Sequence, residues 1–132
     1  MNPVIKILIT VDFFVFFGLG LISPVFAIFI KEDLCDLEKL VKAMKGHDII
    51  WHLGANTDIP SGFKKHKIDL DNNVIATWNV LEAMHKNGIK ELLFSSTGAI
   101  YGNAIEGDFK ESSGPLKPLS LYGAGKLSCE GF

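Results

Sequence analysis

Two short apolar runs, "DIIWHL" (Asp48 to Leu53) and "IKELLF" (Ile89 to Phe94), flank a stretch whose apolar residues recur at helical spacing. Each run has the length of a buried strand rather than of a helix. Between them a polar stretch, "GANTDIPSGFKKHKIDLDN", reads as a loop leading into a helix. Val74, Thr77/Trp78, Leu81 and Met84 mark the apolar face of that helix, and Asn87-Gly88 stops it. Upstream, "DLEKLVKAM" sets Leu37, Leu40, Val41 and Met44 at i, i+3, i+4 and i+7, an amphipathic helix closed by Gly46. Downstream, "SLYGAGKLSCEGF" opens another helix. The order helix–strand–helix–strand–helix with short turns predicts an α/β fold, a parallel sheet covered by helices.

The N-terminal part is of another kind. Phe13 to Ile30 is 18 residues without a charge, the usual threshold for a membrane-spanning helix. Residues 1–30 therefore read as an apolar segment with a membrane helix, and residues 31–132 as the α/β domain. Pro24, Gly18 and Gly20 are tolerated in such helices. A cleaved signal peptide fits less well, because Lys6 alone precedes the run and no A-x-A site follows it. Lys31, Lys39, Lys42 and Lys45 outnumber Lys6, so an inserted segment would leave the C-terminal part cytoplasmic. Without insertion the whole chain is cytoplasmic. The competing reading takes "IKILIT" as a strand and the following apolar run as buried core.

Charge excludes one broad class. Lys and Arg number 13 against 15 Asp and Glu, so there is no concentrated basic footprint for nucleic acid. Cys35 and Cys129 form no C-x-x-C pair, and His47, His52, His66 and His85 lack metal-ligand spacing. Neither a disulfide framework nor a metal site is expected.

Ligands in an open α/β sheet bind beyond the carboxyl ends of the strands. Two such ends carry small or polar residues here, "HLGANT" and "SSTGAIYG". Gly54 and Ala55 would let a flat cofactor approach the backbone, although each stretch alone is equally an ordinary strand-to-loop turn. Tyr122 and Lys126, four apart in "LYGAGK", share a helix face. A phenol of pKa ~10 is a poor base at neutral pH, and a nearby ammonium lowers that value by favouring phenolate. With a hydroxyl such as Thr97 to hold a substrate alcohol, the set suits oxidation of a carbinol, hydride leaving to a nicotinamide.

The run "DLCDLEKL…DIIWHLGAN…DNNVIATWNVLEAM…ELLFSSTGAIYG…LYGAGK" resembles the extended short-chain dehydrogenase/reductase family. The likeness is strongest to its NAD-dependent nucleotide-sugar epimerase/dehydratase branch, the UDP-glucose 4-epimerase-like proteins. Thr97 lies as far from Tyr122 as Asn72 does from Thr97, the spacing of the epimerases. Several motifs in fixed order carry far more weight than a Tyr-Lys pair. The resemblance implies a partial Rossmann-type parallel sheet that binds NAD and a nucleotide-sugar substrate, often as a homodimer. It implies Tyr122 as acid/base, Lys126 on the nicotinamide ribose, and Thr97 as the substrate-polarising hydroxyl. It sets Asp33 and Leu34 against the adenine, and Leu53, Gly54, Ala55, Asn56 and Thr57 along the adenosine and pyrophosphate side. Asn72 matches a cofactor-contacting Asn, though as a residue near a helix start it is equally suited to satisfying backbone donors.

The departures are specific. Gly125 and Leu121 stand where the family usually has Ser and often Pro. "KILIT" resembles the family's first strand, but "VDFFVFFGLGL" follows where a G-x-x-G-x-x-G turn and helix N-terminus would hold the pyrophosphate. The acidic residue ending the second strand has no counterpart, and the sequence stops at Phe132, before the remaining strands and the substrate domain. Two further readings follow from these departures: a non-catalytic truncated or fused fragment, and a membrane-tethered interaction module.

Overall fold

A computed structural model describes residues 7–10, 27–30, 33–103 and 108–132. Four strands form one parallel sheet: β1 (Ile7–Thr10), β2 (Ala27–Ile30), β3 (Ile49–His52) and β4 (Glu91–Phe94), in the order β2-β1-β3-β4. Ile49 stands opposite Ile7 on one side and Glu91 on the other. The two runs expected as adjacent parallel strands are β3 and β4.

The expected membrane helix is corrected at its C-terminal end. Ala27 to Ile30 is a strand in register with β1, Ala27 opposite Ile7, so it completes the sheet instead of projecting from it. Its apolar, β-branched composition suits a buried parallel strand as well as a lipid-facing helix, and hydropathy alone does not separate the two. "KILIT" also supplies a paired strand, so the sheet begins well before residue 31. Residues 13–26, the rest of the expected helix, lie outside the described residues. Among the described residues no helix is long and apolar enough to cross a membrane.

Helix α1 (Leu37–Met44) forms where its apolar residues predict it, and Asp36 caps it by accepting from the Lys39 N–H at 3.1 Å. Leu40 and Met44 are fully buried against α4, and Gly46, at φ 77°, turns the chain back toward β3. After β3 come two short helices, α2 (Ile59–Gly62) and α3 (Lys67–Asp69). Helix α3 runs on through a π-helical turn (Leu70–Ile75) into α4 (Ala76–Asn87), which ends at Gly88 in the left-handed region. Ala76, Thr77, Val80, Ala83 and Met84 are buried, while Trp78, expected on the apolar face, is 49% exposed. Leu34, Leu40, Met44, Ile50, Val80, Ala83 and Ile89 form the core between α1, α4 and one face of the sheet. Each fully buried aliphatic side chain there contributes about 1.5–3 kcal/mol.

Candidate active site

The site is built at the carboxyl ends of β3 and β4. The Ser95 N–H donates to the His52 carbonyl at 3.1 Å, so the two strands stay together one residue past β4. The segments 53–57 and 95–97 therefore leave the sheet side by side. Thr97 caps a 3₁₀ turn (Gly98–Ile100) by accepting from the Ala99 N–H at 3.2 Å. Helix α5 (Leu121–Glu130) packs on that turn, capped in turn by Ser120, whose Oγ accepts from the Gly123 N–H at 3.0 Å. The approach depends on Gly123: a Cβ there would lie 2.8 Å from the Ala99 carbonyl oxygen. The structure thus brings Thr97 and the helix bearing Tyr122 and Lys126 to one strand end. Tyr122, in the first turn of α5, is half-buried.

Lys126 is buried, with 2% of its surface exposed. Its Nζ donates to the Ser95 carbonyl at 2.8 Å and stands 4.5 Å from the centre of the Phe94 ring. Burial holds its pKa below the ordinary lysine value. On the neighbouring strand His52 is also fully buried, and its Nε2 lies 3.0 Å from Thr77 Oγ1. Burial first, and the Lys126 charge second, push the His52 pKa down to about 3. His52 is therefore neutral at physiological pH.

The expected cofactor-side residues divide into two groups. Leu53 is half-buried, Gly54 and Ala55 are buried, and Thr57 is exposed. Gly54 is small for a reason other than a cofactor, because a Cβ there would lie 2.3 Å from Leu34 Cδ1. Leu34 itself belongs to the core. Asp33 is exposed, and its carboxylate accepts from the Cys35 N–H at 2.9 Å. Asn72 donates its side-chain amide to the Ile68 carbonyl one turn back, at 2.9 Å.

Sequence reasoning missed the polar cluster beneath this loop. Asp69 and Asn73, 2% and 1% exposed, meet Asn56 there. Their four-residue spacing on one helix was the available signal, but it lies in a charged stretch that reads as solvated.

The sequence profile of the NAD dependent epimerase/dehydratase family matches residues 15–131. The UDP-glucose 4-epimerase of Streptomyces lividans is 34% identical over 110 residues, covering 81% of this chain and 33% of that protein. A dTDP-glucose 4,6-dehydratase double mutant from Streptomyces venezuelae, solved with NAD bound, superposes with a TM-score of 0.72 at 28% identity, over 79% of this chain and 32% of that one. The UDP-glucose 4-epimerase of Stenotrophomonas maltophila shares the fold, with a TM-score of 0.81 at 22% identity, over 96% of this chain and 47% of that one. The chain spans about a third of the length of the curated relatives it matches. From the strand-end site, the ordered motifs and this match together, the chain belongs to the NAD-dependent epimerase/dehydratase family.

Proposed function

We propose that this chain carries the proton-transfer and cofactor-facing part of an NAD-dependent nucleotide-sugar epimerase or dehydratase, of the UDP-glucose 4-epimerase kind. The observation that supports this most is the buried Lys126 ammonium, bound to a backbone carbonyl at the end of β4. Among the described residues no carboxylate pairs with it. A buried ammonium costs several kcal/mol in desolvation that an apolar residue of the same size would not. Such an expense is typical of a functional site.

In this reading Tyr122 takes the proton of the sugar hydroxyl, and the Lys126 charge favours its phenolate. Thr97 holds the alcohol by hydrogen bonding. NAD, when bound, supplies the hydride acceptor. The donor set suits it on the ribose side, since Lys126 gives one of its three N–H donors to Ser95 and keeps two. Asp33 and the 53–57 backbone border the adenosine side, with Leu34 acting from beneath as packing. Binding is expected to be weak, because the sequence after "KILIT" has no G-x-x-G-x-x-G turn.

The test is calorimetric titration with NAD, beside Lys126→Ala, followed by assay with UDP-glucose. Saturable binding that Lys126→Ala weakens supports the reading, and any turnover should fall by about a hundredfold or more in Tyr122→Phe. No saturable binding, or equal binding by both proteins, overturns it.

A further inference from the structure

The Asn56 backbone N–H donates to Asn73 Oδ1 at 2.7 Å, the shortest bond between the loop after β3 and the π-helical turn. The Asn56 side-chain amide donates to Asp69 Oδ1 at 2.8 Å, and that of Asn73 reaches the same oxygen at 3.4 Å. Asn73 Nδ2 lies 3.5 Å from the Asn56 carbonyl, closing the ring of contacts. The other polar atom of the Asn56 side chain, Oδ1, accepts from the Asp58 N–H at 3.4 Å. The same turn touches α5. Cys129 Sγ reaches the Asn73 carbonyl at 3.5 Å, and Gly125 packs over Val74, Asn73 and the Asp69 carbonyl.

One carboxylate oxygen thus joins the 53–57 loop to the turn on which the Tyr122/Lys126 helix rests. The other oxygen, Oδ2, is buried without a hydrogen-bond partner. It occupies the space where Gly62 lacks a side chain, 2.0 Å from the position a Cβ would take. A carboxylate buried among neutral amides is a poor way to gain stability, since an apolar residue avoids its desolvation. What it supplies is a fixed acceptor, and so a fixed loop.

We propose that Asp69 is a positioning residue: through Asn56 and Asn73 it sets the 53–57 loop in register with α5. This rests on the reading of that loop as the cofactor side. The π-helical turn fits the role, because it widens the helix where Asp69 and Asn73 must both face inward.

The test is amide hydrogen exchange on the whole chain, with NAD titration as a second arm. In the wild type the Asn56 amide should exchange far more slowly than that of exposed Thr57. Asp69→Asn keeps an acceptor oxygen at the Oδ1 position and should preserve Asn56 protection. Asp69→Leu should lose it while the Val80 amide in the core keeps its own. In the NAD arm Asp69→Leu should weaken binding roughly tenfold, the scale of losing a buried hydrogen-bond acceptor, and Asp69→Asn should restore it. Equal exchange at Asn56 and Thr57 in the wild type overturns the proposal without any variant. So does Asn56 protection that survives Asp69→Leu, or a loss in that variant that is uniform across Asn56 and Val80. A wild type that binds no NAD overturns the functional reading instead, and the exchange pattern still decides whether Asp69 fixes the loop.

Discussion

His52 and Lys126 are two buried bases at one strand end, and burial disfavours the protonated form of both. For His52, with a folded pKa of about 3 against ~6.5 in an unfolded chain, the unfolded state binds more protons between those values. Its contribution is complete above pH ~6.5 and is lost as pH falls toward 3. We expect this residue alone to remove about 3 kcal/mol of stability between pH 7 and pH 4. Urea titrations at the two pH values check this: the difference should shrink in His52→Asn, and an equal loss in both proteins would refute the assignment. Lys126 acts in the same sense at higher pH. Its folded pKa lies below the ordinary lysine value, so the charged form is penalised on folding and the penalty is relieved as pH rises from the folded toward the unfolded value. Lys126→Met should therefore raise stability at pH 7 by about 1 kcal/mol, a gain that narrows toward pH 10. Equal or lower stability of the variant at pH 7 would show that the Ser95 bond and the Phe94 contact outweigh desolvation. That the Thr97 turn meets the helix carrying Tyr122 and Lys126 was legible in the sequence, because spacing and ordered motifs set them together. Asp69 and Asn73 were not, because only a tertiary contact shows that these members of "KKHKIDLDNN" are buried.

Within α5, two glycines two residues apart make opposite demands. At Gly123 a Cβ would meet the Ala99 carbonyl at 2.8 Å and Pro118 at 3.1 Å, and a backbone obstacle does not rotate away. Gly123→Ala should push the helix off the Thr97 turn and destabilise the chain. At Gly125 the nearest atom to a Cβ is Val74 Cγ2, at 3.4 Å, an ordinary contact. Gly125→Ala should gain most of the helix-propensity difference, up to about 1 kcal/mol. Thermal melts of the two variants should shift in opposite directions, and two shifts of the same sign would show that α5 is free to slide. Elements with a strong period were legible: α1, β3, β4 and α5 lie where the sequence sets them, within two residues. The face of α4 was legible in part: Thr77 and Met84 are buried and Leu81 packs on the core, while Trp78, the alternative to Thr77 in that stripe, is exposed. β2 was missed, its four residues being the end of an uncharged run that hydropathy reads as one unit.

At the scale of the whole sheet, the described residues cover one face well and leave one flank exposed. The core lies on the side of α1 and α4, toward which Leu92 packs, while Leu93 on the opposite side of β4 is 52% exposed. Among the described residues β4 pairs with β3 alone, so its other edge presents unpaired backbone donors and acceptors. An apolar side chain beside an open strand edge favours edge-to-edge pairing between copies. Natural edges are blunted by charge, and here Glu91, at the start of β4, is the strand's charged residue. Leu93→Lys puts a second charge two residues on, on the same face. A half-exposed site away from the core should change folding stability by no more than about 0.5 kcal/mol. The soluble fraction and the light scattering of the concentrated chain should nevertheless improve clearly. Leu92→Lys, one residue away on the core side, should instead unfold the chain, which separates an effect of the edge from an effect of charge alone. Unchanged scattering in Leu93→Lys, with stability intact, would show that association runs through another surface, such as the exposed Trp78 and Phe132 pair.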